Sequence, residues 1–169
     1  MRVITAVENF KSELFDNTIT CFLAGGITKC WDWEKAVIDE LNKYDLPDHF
    51  VIFNPRRENF PIDDPNASFE QICWEFKYLE NCDIFSMYFV NSESDQPICM
   101  YELGRNLMRM KWLYPISCVN RVVITCEDGY SRYNDVEIQS RLALGEYVLT
   151  PNPSAKSHAE AIYKAFTQF

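Results

Sequence analysis

Residues 83–90 read DIFSMYFV, and after the turn NSESDQ the chain continues as PICMYELGRNLMRMKW over 97–112. A strand with one wet face alternates apolar and polar residues, whereas a run as continuously apolar as this one belongs to a strand covered on both faces, as in a parallel sheet. The segment after it has helical periodicity, so the two make one strand–helix unit. The same unit recurs on either side. TITCFLAG (18–25) precedes WDWEKAVIDELNKY (31–44), and FVIFNP (50–55) precedes SFEQICWEFKYLEN (68–81). Downstream, RVVITCE (121–127) precedes DVEIQSRLAL (135–144), and YVLT (147–150) precedes SAKSHAEAIYKAF (154–166). Five units in strict alternation predict right-handed crossovers and a five-stranded, mostly parallel sheet with helices on both faces, an α/β fold.

The 169 residues suit one domain, able to bury roughly 70% of the surface that the unfolded chain exposes. No repeat, low-complexity tract or long linker divides them, so a single domain over 1–169 is expected, with 1–17 as an N-terminal extension. Sixteen Lys and Arg against 25 Asp and Glu leave a net charge of -9, which argues against nucleic acid and anionic membranes as partners, since both need a basic surface. The seven cysteines are odd in number, lie mostly in apolar runs and form no Cys-x-x-Cys pair. That is the pattern of reduced thiols, not of a disulfide framework or a zinc ribbon. MRVITAVENFKSE meets charge too early for a signal peptide, and no apolar stretch approaches the roughly 18 residues of a membrane span. A cytoplasmic protein is the expectation, with small neutral or weakly charged ligands open.

Ligands of parallel sheets bind beyond the carboxyl ends of the strands, which singles out the loops GGITKCWDW (25–33), NPRRENFPIDDPNAS (54–68), NSESDQP (91–97) and CEDGYSRYND (126–135). Gly25 and Gly26 have no third glycine in phase, so a dinucleotide site is not indicated; the pair allows close backbone approach of a small ligand. Of Trp31 and Trp33, one is expected in the core and the other stacked on a planar ring. His49 and His158 have no Cys, Ser or carboxylate at triad or metal spacing, so neither a His-based triad nor a metal site is expected. Arg56 and Arg57 read either as anion holders or as surface partners of Glu58, Asp63 and Asp64. Asp83 opens its strand and so lies at the far end of the sheet, a structural residue.

Two carboxylates stand out. Glu75 is in helical phase with Ile72, Tyr78 and Leu79, along an apolar stripe, where desolvation raises a carboxyl group toward the range of a general acid. A carboxylate paired to a buried tyrosine or backbone amide is the structural alternative. Glu102 has Arg105 at i+3 and Asn106 at i+4, which is also how a solvated helix face reads. Against that, it stands early in a helix that leaves the carboxyl end of the central strand, and Gly104 thins the helix where something packs closely.

FLAGGI (22–27), NPRR (54–57), QICWEFKYLENCD (71–83) and YELGR (101–105), taken in order, resemble the nucleoside 2-deoxyribosyltransferases and their relatives, including the deoxynucleoside monophosphate N-glycosidases, over about residues 18–145. The resemblance implies a flavodoxin- or Rossmann-like three-layer sandwich and a homodimer or higher oligomer whose sites borrow residues from a neighbour. It implies that Glu102 is the nucleophile and Glu75, where the family more often has Asp, the second carboxylate, with no metal or organic cofactor. The chemistry suits such a pair, because displacing a base from C1′ passes through an oxocarbenium-like state that one carboxylate traps while an acid protonates the base. Gly25, Gly26 and Ile27 are then candidates for the sugar side, Trp31, Trp33 and Trp74 for the base, and Asp95, Tyr130, Arg132 and Asp135 for completing the site. Two departures matter. Phe22 stands where many members have a tyrosine that holds the nucleophile, which leaves Tyr88 or Tyr101 to orient Glu102. Gln96, flanked by Asp95, stands where nucleotide-hydrolysing members carry a phosphate-binding serine and transferases an aspartate, and with Glu93 nearby a free deoxynucleoside is favoured over a nucleotide. The rivals are a hydrolase of nucleotides or NAD-like ribosyl bonds, with an anion pocket from Arg56, Arg57 and Arg132, and a nucleotide-sensing module that has lost catalysis.

Overall fold

Strand-forming runs that are apolar on both faces must be sandwiched, and the computed structural model, which describes residues 1–10 and 18–169, sandwiches them. Strands β1 (Arg2–Thr5), β2 (Ile19–Gly25), β3 (Phe50–Asn54), β4 (Ile84–Phe89) and β5 (Val122–Cys126) form one sheet in the order β1-β3-β2-β4-β5. Every pairing is parallel. Every residue of β4 and β5 is buried. The expected α/β three-layer arrangement of flavodoxin- or Rossmann-like type is therefore present, but one strand differs. YVLT (147–150) makes only an isolated bridge, Leu149 to Ile124, with the Thr150 amide donating to the Ile124 carbonyl at 2.8 Å. It is pinned between Gly145, in left-handed conformation at φ 86°, and Pro151, which has no N–H to extend a ladder. The fifth strand is instead β1, from the segment expected as an N-terminal extension, and it registers Arg2 on Val51 through Thr5 on Asn54. Residues 11–17 of that extension lie outside the described residues.

Alternate residues of each strand feed two cores. Cys21 and Leu23 of β2, Ile52 of β3 and Tyr88 of β4 pack under α1 (Trp33–Leu41) and α5 (Ala155–Phe166). Phe22 and Ala24, Val51 and Phe53, and Phe85, Met87 and Phe89 pack under α2 (Ala67–Leu79), α3 (Pro97–Leu113) and α4 (Tyr133–Leu144). The Asp32 carboxylate caps α1 by accepting from the Lys35 amide at 3.0 Å, and Ser154 with Ser157 makes a reciprocal capping box on α5. Among the described residues no helix is long and apolar enough to cross a membrane.

The chain steps from β2 outward to β3 and then returns across β2 to β4, so β2 and β4 are neighbours at which the winding reverses. Their carboxyl ends therefore diverge into loops on opposite faces and leave a crevice between them. Beneath the crevice, at the centre of the sheet, the buried His158 ring bonds Ser86 Oγ at 2.6 Å and Thr125 Oγ1 at 2.8 Å, with Trp33 and Tyr88 packed edge-on against it. One ring nitrogen donates and the other accepts, so the neutral form fits and burial pushes the group down to about 3 from 6.5. The unfolded chain takes up a proton at this histidine below pH 6.5 that the folded chain refuses down to about pH 3. Stability from this group is thus lost as pH falls through that window, by up to about 1.4 kcal/mol per pH unit. We expect wild type to lose more unfolding free energy than His158→Gln between about pH 7 and about pH 5 in urea titrations. Equal losses would mean that His158 titrates as an exposed histidine does.

Candidate functional site

The crevice holds a cavity of about 260 Å³. Phe22 and Ala24 form its floor, Gly25 to Thr28 one wall, Pro55 and Glu75 a second, and Ser94, Gln96 to Cys99 and Glu102 the rest. Larger grooves of about 670 Å³ and 630 Å³ lie along β5 and at the ends of β1 and β3, but neither brings two partly buried acids together. The small cavity does.

Glu75 comes from the middle of α2 and Glu102 from the second turn of α3. Burial is the larger cause that raises Glu102, the charge of Glu75 the next, and together they push it up to about 7 against the opposing pull of Arg105. Glu75 is raised by burial and partly restrained by a hydrogen bond from Gln71. Two carboxyl groups so placed hold one proton between them more readily than two charges. The Gln71 side-chain nitrogen donates at 2.7 Å to Glu75 Oε1 and at 2.7 Å to the Pro55 carbonyl, tying α2 to the end of β3.

The apolar stripe expected beside Glu75 is only half present. Tyr78 and Leu79 are buried, but Ile72 is 62% exposed, because the face of α2 that carries Phe69, Ile72 and Phe76 points away from the sheet. Glu75 is instead buried in the wall of the cavity. The solvated-face reading of Glu102 fails for a specific reason: Asn106 is buried, its amide donating to the Glu102 carbonyl at 2.9 Å and its oxygen accepting from Arg109 at 3.2 Å. Gly104 does not face a packed neighbour; a Cβ there would meet nothing within 4 Å.

Neither Tyr88 nor Tyr101, the hydroxyls expected to orient Glu102, is bonded to it. Tyr88 points into the other core and donates to Glu127 Oε1 at 3.0 Å, and Tyr101 is 65% exposed beneath the Arg105 guanidinium. Phe22 lies against Trp74 with ring centroids 5.9 Å apart. Trp33 is fully buried, stacked on Tyr88 at 4.9 Å, with its N–H on the Gly26 carbonyl at 2.9 Å. Trp74 is buried with its N–H on the Glu8 carbonyl at 2.7 Å. Neither has a face left for a base, since each ring is enclosed by the packing that the N–H contact fixes. Trp31 is exposed and bonded to Glu127 Oε1 at 3.1 Å, outside the cavity lining.

Gln96, at φ 47°, turns its amide inward to the Val90 carbonyl at 2.6 Å and backs onto Gly26, so it builds the loop. Asp95 accepts from Ser131 through Oδ1 at 2.7 Å and from Tyr130 through its carbonyl at 2.8 Å, which braces the loop from β5 and leaves Asp95 and Tyr130 outside the lining. Arg132 and Asp135 pair at 3.7 Å on the surface. Arg56 is committed to the wholly buried Glu34 at 2.8 Å, and Arg57 donates to the Ala6 carbonyl at 3.2 Å, so no anion pocket assembles from Arg56, Arg57 and Arg132. Sequence reasoning missed Glu127, which accepts from Trp31, Tyr88 and the Asn91 amide, and Gln71, whose i−4 spacing from Glu75 was a legible signal.

No curated protein matches the chain. Residues 18–129 do match the family described as nucleoside 2-deoxyribosyltransferase like. The matched span opens with β2, includes both glycines, both carboxylates and the helices that carry them, and closes just beyond β5. Because it takes in more than half of the sequence and every wall of the cavity, the chain belongs to the nucleoside 2-deoxyribosyltransferase-like family.

Proposed function

We propose that this protein cleaves, and transfers, the N-glycosidic bond of 2′-deoxynucleosides through a covalent sugar ester on Glu102. The observation that carries the reading is the meeting of Glu75 and Glu102, from different helices, in one small cavity at the winding reversal of the sheet. In the first half-reaction Glu102, ionised, attacks C1′ as the C1′–N bond breaks; the bonding pair leaves with the base, and Glu75 supplies its proton. In the second, an acceptor base or water attacks C1′, gives its proton to the Glu75 carboxylate and releases Glu102, with net retention. Gly25, Gly26 and Ile27 lie along the sugar, and the chemistry calls for no metal or organic cofactor. Glu102→Ala should lower kcat/KM by about a thousandfold or more while leaving the fold intact. A 2-deoxy-2-fluoro sugar analogue should add its mass to a peptide containing Glu102. A variant that keeps a tenth of the activity, or a label elsewhere, removes the assignment.

A free nucleoside suits the site better than its 5′-monophosphate. The lining residues include two carboxylates and no Lys or Arg, and Pro97, at the start of α3, lacks an N–H. Glu93 is less repulsive than its sequence position suggested, because Lys29 pairs with it at 3.6 Å. Deoxynucleosides should exceed their monophosphates in kcat/KM by about tenfold, or about 1.4 kcal/mol of transition-state binding. Preference for the monophosphate overturns this.

We also propose a homodimer or higher oligomer. Phe69, Ile72 and Phe76 on α2 and Tyr101, Met108 and Trp112 on α3 are all more than half exposed, and Arg105, stacked over both Phe76 and Tyr101, joins the two stripes into one face. Monomers rarely leave so large an apolar patch in water. Gly104 on the same face leaves room for a close second helix. Sedimentation should give a dimer or larger species that Met108→Glu dissociates; a wild-type monomer removes this part of the reading.

A further inference from the structure

Gln71 stands one turn before Glu75, and its nitrogen bonds both the Pro55 carbonyl and Glu75 Oε1. Pro55 O only accepts, so the amide must turn its NH₂ edge there, and the second N–H then meets the carboxylate. At the other end Gln71 Oε1 is buried without a partner. Such an orphan costs about 1–3 kcal/mol. Position 71 is therefore not tuned for stability; its evident product is a fixed donor on the acid.

We propose that Gln71 is a positioning residue for Glu75, occupying Oε1 so that Oε2 carries the proton to the departing base, and stabilising the carboxylate that remains. The inference rests on Glu75 being the acid in the reaction above. As the C1′–N bond breaks, the electron pair goes to the base nitrogen, the Oε2 proton follows, and negative charge grows on Glu75. A preset N–H donor bonds that growing charge more strongly than it bonds the neutral acid, so it favours the transition state over the ground state. The hydrogen bond opposes the upward push of burial on Glu75, in the sense this requires. The other charged group toward this acid is Glu102 of α3, which Arg105 in turn faces. Phe22, Ala24 and Gly25 of β2 bring no charge to it, and Arg56 and Arg57 are turned to Glu34 and the Ala6 carbonyl.

The test is the pH profile of kcat/KM for Gln71→Met and Gln71→Lys, with a poor and an activated leaving base. Gln71→Met should move the basic limb up by about half to one pH unit and cost about tenfold on the poor leaving base but less than about threefold on the activated one. Gln71→Lys, which keeps a donor and adds a positive charge, should move the limb down. A limb that stays in place with equal losses for both bases makes Gln71 merely structural. Glu75→Gln separates the failures. If the basic limb survives there, Glu75 is not the acid and the underlying reading falls; if it vanishes there yet ignores both Gln71 variants, only the present inference falls.

Discussion

The closeness of two strand ends governs the molecule. At Gly25 an added Cβ would lie 2.5 Å from the Tyr88 carbonyl and 2.5 Å from the Trp33 ring, and at Gly26 it would lie 2.5 Å from Gln96 Oε1. A side chain at position 25 would strike the β4 backbone, and one at position 26 would displace the Gln96 amide from its place, so the two carboxyl ends come together through glycine. The consequences run outward. Trp33 reaches the Gly26 carbonyl and locks the start of α1, while Gln96 clamps Val90 and sets the start of α3. Once the N-terminus of α3 is fixed, Glu102, five residues after Pro97, shares the cavity with Glu75 of α2.

The same placement opposes stability. A carboxyl group raised in the folded state binds a proton that the unfolded chain has already released, so between about 4.5 and about 7 folding grows less favourable at Glu102 as pH rises. His158 runs the other way over an overlapping range, being neutral when folded and charged when unfolded. The two trends partly offset in the whole molecule, which is why single variants, and not the wild-type curve, separate them. Glu34 belongs to the acid group as well: burial raises it to about 7 although Arg56 lies 2.8 Å away, since desolvation of a fully enclosed carboxylate exceeds what one half-buried cation returns. Its placement under the Gly26 loop holds Arg56 against the Gly26 and Trp31 carbonyls.

Periodicity made four strands, five helices and the loops at the carboxyl ends legible, because burial on both faces leaves a continuous apolar run that no other element of that length shows. RVIT at the amino terminus is four residues at an edge, half exposed, and too short to stand apart from a strand-like tail. YVLT has the composition of a strand, but Pro151, legible directly after it, cuts the ladder to one bridge. Helical phase and motif together singled out Glu102 and Glu75, and the structure brings both to one cavity. The tryptophans were not: an indole reads alike in a core and on a base, and only the acceptor of its N–H, Gly26 O for Trp33 and Glu8 O for Trp74, distinguishes them. Tyr130 and Asp95 were placed at the correct end of the sheet, but the hydrogen bond between them turns both to bracing a loop.

Phe22 ties these points together. Its ring lines the cavity without offering a polar atom, and burial in that cavity is the largest cause that raises the proton affinity of Glu102. The counterweight is Coulombic: Arg105, one turn along α3, favours the ionised carboxylate. Its guanidinium is itself held by Glu80 at 3.4 Å and by the rings of Phe76 at 4.8 Å and Tyr101 at 5.8 Å. A hydrogen bond fixes direction as well as charge, whereas a cation at this range fixes charge alone. Glu102 can therefore be ionised without being aimed, and what aims it is packing: the Asn106 bond to its own carbonyl and the seat of α3 on the Gly26–Gln96 contact. Orientation that comes from the backbone needs no hydroxyl from the floor, so a carboxylate and an apolar ring can share one crevice.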